Sequence, residues 1–286
     1  MPSLSPSGLF VGLATLDVVQ LVDRLPSPNA KTTARQTWLA AGGPAAVAAI
    51  TFASLGGRAR LWTALGEHPA ARLVAADLAS AGVEVLDAAP PGFELAASVV
   101  LLDAASGDRA VVSGSGHVPV FGTVAVPQLS GVDVVLVDGH HPGLARTVVR
   151  SLPQGSDARV PVVVDAGSHK PVFDELLDAF SDVICSADYR HPALAPRDLL
   201  GRGPELVAVS HGEGPLEWWT SGSSGVVTPE PVDAVDTVGA GDVLHGAYCH
   251  GLASGLGRPE ALRRAVQVAT RRVRELGPFA WRAAIA

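Results

Sequence analysis

Uninterrupted apolar runs alternate with helix-patterned stretches through the second half of this chain. Runs at Val132 to Val137, Pro161 to Val164, Val183 to Cys185 and Leu206 to Val209 show no polar alternation. That is the pattern of strands buried on both faces. Helical periodicity fills about Gly143 to Leu152 and Val172 to Phe180, with a helix-like piece near Arg197 to Leu200. The alternation predicts βαβ units on a parallel sheet. In the first half, Leu9 to Ala14, Arg60 to Leu65 and Val83 to Leu86 read as further strands. Helices are predicted from Pro44 to about Leu55, where Pro follows a Gly pair, and from His68-Pro69 to near Gly82. A late hairpin (Leu216 to Thr220, Gly225 to Thr228) and two helices, one after Asp242 and one from about Pro259 to Leu276, finish the chain.

Two segments break this rhythm. Val18 to Val22 and Lys31 to Leu39 flank the turn Leu25-Pro26-Ser27-Pro28-Asn29, and Ala97 to Asp103 and Arg109 to Ser113 flank Ser106-Gly107-Asp108. Both read as antiparallel pairs outside the main sheet. The expectation is one α/β domain over residues 1–286, with a small β lid from insertions at about 17–40 and 97–113. Such a lid cannot bury both faces. Trp38, Val99 and Leu101 belong to its inner or its outer face, and an exposed apolar face predicts a homodimer through the lid.

Composition narrows the function classes. With 48% apolar residues in 286, the chain has the material for a sizeable core. No run approaches a membrane span, and Met1 to Gly8 lacks a basic leader. The two cysteines fall inside apolar elements, so a reducing cytoplasm is expected. Net charge is -7, and the basic residues cluster only at Arg263, Arg264, Arg271, Arg272 and Arg274. A solvated helix face accounts for them, and no nucleic-acid partner is expected.

The candidate chemistry centres on Asp236-Thr237-Val238-Gly239-Ala240-Gly241-Asp242. This stretch leaves a Pro-rich extended segment and enters a helix. A helix N-terminus offers unpaired N–H groups and partial positive charge, and the glycines bare those donors to an anion. Asp242, in the first turn, is placed to accept a proton from an attacking hydroxyl. Asp17 follows the first strand, where it is either a ligand contact or an ordinary turn residue. Gly42 and Gly43 allow close approach of a ligand or simply make a tight turn. Polar groups also end the later strands, at Asp138-Gly139-His140-His141, Asp165-Ala166-Gly167-Ser168, Ser186 and Ser210-His211-Gly212. Lys170 follows one of them as a candidate phosphate contact. The His140-His141 pair has no third metal ligand at recognisable spacing.

The stretch at 236–242 resembles the signature D-T-x-G-A-G-D of the PfkB (ribokinase-like) carbohydrate kinases. The resemblance extends through Val11-Gly12-Leu13…Leu16-Asp17-Val18, Gly42-Gly43, Gly107-Asp108-Arg109 and Leu276-Gly277-Pro278-Phe279, with a layout similar to ketohexokinase. It implies a three-layer α/β/α sandwich with a mostly parallel sheet and a β lid. It implies transfer of the ATP γ-phosphoryl group to a primary hydroxyl, with Mg²⁺. Asp242 then corresponds to the catalytic base and Gly239, Ala240 and Gly241 to its anion hole. Asp17, Gly42, Gly43 and Arg109 fall at substrate positions. Ser210, Gly212, Gly214, Thr237, Lys170 and Ala269 fall at nucleotide positions, with Val266 beside the adenine. No direct metal ligand is implied. The chain departs from the family pattern at Pro44 and Val47, where sugar-contacting Asn residues usually stand, and at Ser186 and Tyr189, in place of an Asn and a Glu. The acceptor is therefore open. A nucleoside kinase, with Trp38 as stacking candidate, and a non-catalytic binding protein stand as alternatives.

Overall fold

In this computed structural model the described residues are 5–114, 119, 121–122, 124–153 and 159–286. The strands of the main sheet are β1 (Ser7–Val11), β4 (Arg58–Thr63), β5 (Val83–Asp87), β8 (Val134–Val137), β9 (Val162–Ala166), β10 (Asp182–Ser186), β11 (Leu206–Ser210), β12 (Leu216–Thr220) and β13 (Ser224–Val227). Their order is β13-β12-β11-β10-β9-β8-β1-β4-β5. All pairs are parallel except those made by β12, which runs antiparallel to β11 and β13. The sheet grows in opposite directions from β1 and β8, so a crevice opens beyond their carboxyl ends.

Pleating divides the strand residues between two cores. Phe10, Leu61, Leu136, Val163 and Ile184 face helices α1 (Pro44–Ser54), α2 (Pro69–Ser80), α5 (Ala240–Ala253), α6 (Arg258–Arg272) and α7 (Trp281–Ile285). Leu9, Val11, Val135, Val137 and Val164 face α3 (Pro142–Ser151), α4 (Pro171–Leu176) and the 3-10 turn at Pro196–Arg202. This is the expected three-layer sandwich. Each fully buried Val or Leu contributes about 1.5–3 kcal/mol of transfer free energy, which explains why these strands carry no polar alternation.

The second sheet has the order β3-β2-β6-β7, built from β2 (Thr15–Val22), β3 (Gln36–Gly42), β6 (Ala97–Asp103) and β7 (Arg109–Ser113). The outer pairs are antiparallel and the β2–β6 pair is parallel, so the two insertions join edge to edge. Pleating settles the faces. Val18 pairs with both Leu39 and Val99, and Val99 pairs with Val112, which sets one apolar row across the outer face. Leu39, Val99 and Val112 are exposed. Leu101 is on that face and half-buried. Trp38 lies on the inner side, packed with Val238 and Leu276 and against Gly277. It is thus engaged with the chain itself and is not a free stacking surface.

Candidate active site

Helix α5 starts at Ala240, capped by Gly239 at φ 72, a left-handed conformation that glycine adopts without strain. That conformation turns the extended segment into the helix axis. The Ala240 N–H bends back to the Thr237 carbonyl at 3.3 Å. The amides of Gly239, Gly241 and Asp242 have no acceptor among the described residues. Among the described residues, two amides of the expected cradle, Gly239 and Gly241, are thus without an acceptor, while that of Ala240 is turned back on the loop and the Asp242 amide stands free instead.

The loop is held from behind. Asp236, 1% exposed, accepts hydrogen bonds from the Val238 amide at 2.9 Å and the Gly277 amide at 3.0 Å. It also pairs with Arg272 at 3.0 Å. Arg272 donates further to the Val238 carbonyl at 2.8 Å and the Asp236 carbonyl at 3.2 Å. The solvated role expected for Arg272 is thus wrong. It is 2% exposed and holds the signature loop. Its helix face reads as polar in sequence because its partner lies 36 residues away.

Asp242 accepts no hydrogen bond from a described residue. Burial raises its pKa well above the ordinary carboxylate value. The negative charges of Asp165, Asp138 and Asp17 add to that, and Arg109 opposes it. Asp17, Gly43, Val47, Val238, Gly239 and Asp242 line one cavity, so the predicted base and two predicted substrate residues come together. Asp17 accepts from the Thr15 hydroxyl at 2.7 Å, and burial pushes its pKa up. Its carboxylate occupies the space that a Cβ on Gly42 would need. Gly42 therefore serves close approach, to Asp17 rather than to a ligand. Pro44 opens α1, and Val47 faces the cavity with no polar atom, so no amide is supplied there.

Arg109 projects from β7 onto the cradle. Its guanidinium donates to the Thr237 hydroxyl at 2.6 Å and carbonyl at 3.4 Å. The lid and the signature loop are thereby joined, and Thr237 is a lid anchor. Lys170 sits at the start of α4, bonded to the Ser168 hydroxyl at 3.0 Å, with Asp138 and Asp165 as its electrostatic neighbours. Ser210 ends β11 beside Ser186 of β10. Gly212 and Gly214 lie in the loop that follows. No hydrogen bond among the described residues joins 210–214 to the signature loop. Ala269 is half-buried on α6, whereas Val266 packs into the core and not toward an open site.

Asp138 and Asp165, noted in the sequence only as polar strand ends, and His245, not noted at all, also shape the site. Asp138 is 1% exposed and accepts the amides of Leu13 at 2.8 Å, Ala45 at 3.2 Å and His140 at 2.9 Å, tying β1, α1 and β8 together. Despite the burial, its pKa is held below the carboxylate range by neighbouring His140 and these amides. His245 touches the Gly241 carbonyl at 2.7 Å and the Asp165 carboxylate at 3.3 Å, bracing the first turn of α5. One Asp165 oxygen is buried without a hydrogen-bond partner. Of the pair at this strand end, His140 lies beside Asp138 at 3.3 Å and His141 is 2% exposed. A different trio, His169, Asp174 and His191, does converge. There, His191 Nδ1 accepts the Ala193 and Leu194 amides at 3.0 and 2.9 Å. Its proton is therefore on Nε2, which donates to Asp174 at 3.0 Å, the arrangement of a structural clamp rather than a metal ligand.

Comparison with known proteins agrees with this geometry. The pfkB family carbohydrate kinase profile matches residues 7–280. Ribokinase from Bacillus subtilis (strain 168) is 24% identical over 93% of this chain and 92% of its own length. An ATP-dependent ribose-1-phosphate kinase from Halopiger xanaduensis is 30% identical over 84% and 82%. Among solved structures, Arabidopsis thaliana ribokinase in complex with ribose and ATP superposes with a TM-score of 0.74 at 21% identity, covering 99% and 98%. Two of these relatives are named ribokinases and the other a ribose-1-phosphate kinase, where the layout had pointed to ketohexokinase. With its signature loop, its lid and a match over nearly its whole length, this chain belongs to the pfkB family of carbohydrate kinases.

Proposed function

We propose that this ATP-dependent sugar kinase phosphorylates a primary hydroxyl, with Asp242 as proton acceptor. The carrying observation is a carboxylate beside three amides at one helix N-terminus, none of them hydrogen-bonded to a described residue. In the step inferred, the acceptor hydroxyl gives its proton to Asp242 as its oxygen attacks the γ-phosphorus. The bond to the β–γ bridging oxygen breaks, and ADP leaves with that electron pair. The amides of Gly239 and Gly241 face the charge on the transferring group, and Arg109 adds a cation at the rim. Such preorganised donors supply much of the acceleration in phosphoryl transfer. Asp17 orients the acceptor. The raised pKa of Asp242 poises it for proton uptake nearer neutrality.

Mg²⁺ fits this site, because Asp165 presents a buried carboxylate oxygen that accepts no hydrogen bond from a described residue, with only His245 beside it at 3.3 Å, and Asp242 adds a second carboxylate. Asp165 would hold the ion, directly or through water, and the ion would supply charge neutralisation on the phosphates. Lys170 and the Ser210–Gly214 loop support a nucleotide path along the ends of β9 to β11. Asp242→Asn tests the reading. ADP release should fall by about a hundredfold or more with little change in nucleotide binding; unchanged turnover would remove Asp242 from the step.

We also propose a homodimer through the lid. The row Leu39, Val18, Val99 and Val112 supports it, since a contiguous exposed apolar face usually marks an interface. Light scattering at micromolar concentration should give a dimer that Val99→Lys converts to monomer, and a monomeric parent would refute the lid contact. The described residues contain no helix long and apolar enough to cross a membrane. Both cysteines are free and buried, and burial pushes the Cys185 thiol up to about 12, which supports the cytoplasm as location.

A further inference from the structure

The carboxylate placed to orient the acceptor is itself held by two hydroxyls. Asp17 lies on the inner face of the lid sheet, in the same alternation as buried Val19, and lines the cavity shared with Gly239 and Asp242. Thr15, two positions earlier on the same face of β2, is 2% exposed and donates to Asp17 Oδ1 at 2.7 Å. Ser98 is the register partner of Asp17 across the parallel β2–β6 seam and is 6% exposed. The Ser98 hydroxyl has two oxygens in reach, Ser113 Oγ at 3.4 Å and the Asp17 carboxylate. A carboxylate is the stronger acceptor, and 3.4 Å is long for a bond between hydroxyls, so the Ser98 proton belongs to Asp17.

Three strands thus confine this one side chain. The third is β3, where Gly42 pairs with Thr15 and a Cβ at Gly42 would stand 2.0 Å from Asp17 Oδ2. Donors from two strands select one orientation of a side chain that otherwise turns about two bonds. An ionised carboxylate accepts at about four lone-pair sites, so two hydroxyls leave room for that of an acceptor. They also favour the charged form. Burial pushes the Asp17 pKa up, and the Thr15 and Ser98 donors oppose that.

The charged neighbours do not supply this hold. Asp242 of α5 shares the cavity and carries the same sign. Arg272 of α6 is paired with Asp236, and Arg109 of β7 is bonded to Thr237. Asp77 of α2 is acidic and accepts the Ala41 amide at 2.9 Å. Among the described residues Asp17 has no ion pair. Two neutral donors therefore take the place of a counter-ion, and they fix the carboxylate without cancelling its charge.

We propose that Thr15 and Ser98 are positioning residues whose hydroxyls aim the Asp17 carboxylate at the acceptor hydroxyl. The assignment rests on the role given to Asp17 in the kinase reading above and deepens it. Neither residue is among those lining the cavity, so both act through Asp17. Ser98 reaches Asp17 only because the two insertions join at the β2–β6 seam, so the grip on the acceptor depends on the lid sheet being assembled.

The test compares Ser98→Thr with Ser98→Val, two side chains of one shape of which only the first has a hydroxyl. ADP release is followed with ATP and Mg²⁺ on ribose, ribose 1-phosphate and fructose. On the acceptor the parent uses best, Ser98→Val should raise the acceptor KM about tenfold over Ser98→Thr, the scale of a hydrogen bond to a charged group, with kcat within about twofold. Thr15→Val, isosteric with the parent, should do the same from the other hydroxyl, which keeps the test open where a change at Ser98 prevents folding. A second readout needs no turnover. Carbon-13 NMR of Asp-labelled protein, with Asp17→Asn identifying the signal, follows the titration of Asp17 without ligand. Its midpoint should lie higher in Ser98→Val than in Ser98→Thr, and higher in Thr15→Val than in the parent, because a lost donor to the charged form favours the proton. Equal midpoints or equal acceptor KM values within both pairs would overturn the proposal. Should the parent turn over none of the three sugars, the kinase reading is what fails, and the Asp17 signal still decides whether these hydroxyls hold it.

Discussion

The two ends of the signature loop carry the same side chain in opposite circumstances. Asp236 is saturated, with two backbone amides and the Arg272 guanidinium on its oxygens. Asp242, six positions on, receives no hydrogen bond from a described residue and faces three other carboxylates. One carboxylate holds the loop's shape and the other is left free to react. The contrast explains how the loop keeps amides unpaired: its shape is fixed by the hydrogen bonds and ion pair at Asp236, not at the site.

The largest effect is expected at the saturated end. Asp236→Ala leaves Arg272 buried without its counter-ion, which costs about 3–5 kcal/mol in stability. Chemical denaturation should show this loss together with loss of turnover, because the cradle would open. A variant that kept its stability would erase the contrast. Asp242→Asn should do the reverse, losing turnover about a hundredfold, roughly 3 kcal/mol in barrier, while the fold survives.

The free end also sets a pH dependence. The folded-state pKa of Asp242 is raised, so the folded state binds the proton more tightly than the unfolded chain. By linkage, stability from this group is greatest below the unfolded carboxylate value, near 3.9, and is lost as pH rises from there through the folded value. Asp242→Asn removes that loss. Its melting temperature should exceed the parent's at neutral pH, with the difference vanishing toward acid. Activity runs the other way, falling as pH drops through the raised value, when the base becomes protonated. Arg109→Ala withdraws the one opposing cation, so this acid limb should move to higher pH and kcat/KM should fall about tenfold, the scale of a hydrogen bond to a charged group. A limb that does not move would separate Arg109 from the site.

How much of this was legible in the sequence depends on separation along the chain. The cradle is seven consecutive residues, so its chemistry could be read directly, and the unbroken apolar strands announced the sandwich. The lid sheet was legible as two insertions, but the parallel β2–β6 seam joins strands some eighty residues apart and has no local signature. Arg272 and His245 were hidden for the same reason. Each acts on the loop through a partner set by the packing of α5 and α6. Asp138 stood in view at a strand end, yet its role depends on the amides of Leu13 and Ala45, which only the closed fold brings to it. The lid faces could not be assigned from alternation alone. Docking Trp38 against Gly277 resolves them, because one fixed side chain determines the facing of every neighbour in a pleated sheet.

The smallest expected effect separates shape from charge within the cradle itself. Gly239 and Gly241 look equivalent in sequence but differ in backbone. Gly239 is left-handed at φ 72, where a side chain would add about 1–2 kcal/mol of strain, so its substitution confounds folding with function. Gly241 has an ordinary helical conformation, and a Cβ built there meets nothing within 4 Å. Gly241→Ala should therefore leave the fold intact, or stabilise α5 by up to about 1 kcal/mol through helix propensity. The added methyl would nonetheless stand where the amides face the transferring group. Turnover should fall several-fold to about tenfold, the lower range for one weakened charge-stabilising donor. Thermal melting and initial-rate kinetics on the same sample decide the matter. A stabilised protein with reduced kcat shows that the loop is kept bare for the phosphoryl group, whereas full activity would mean that the 241 amide is not part of the anion hole.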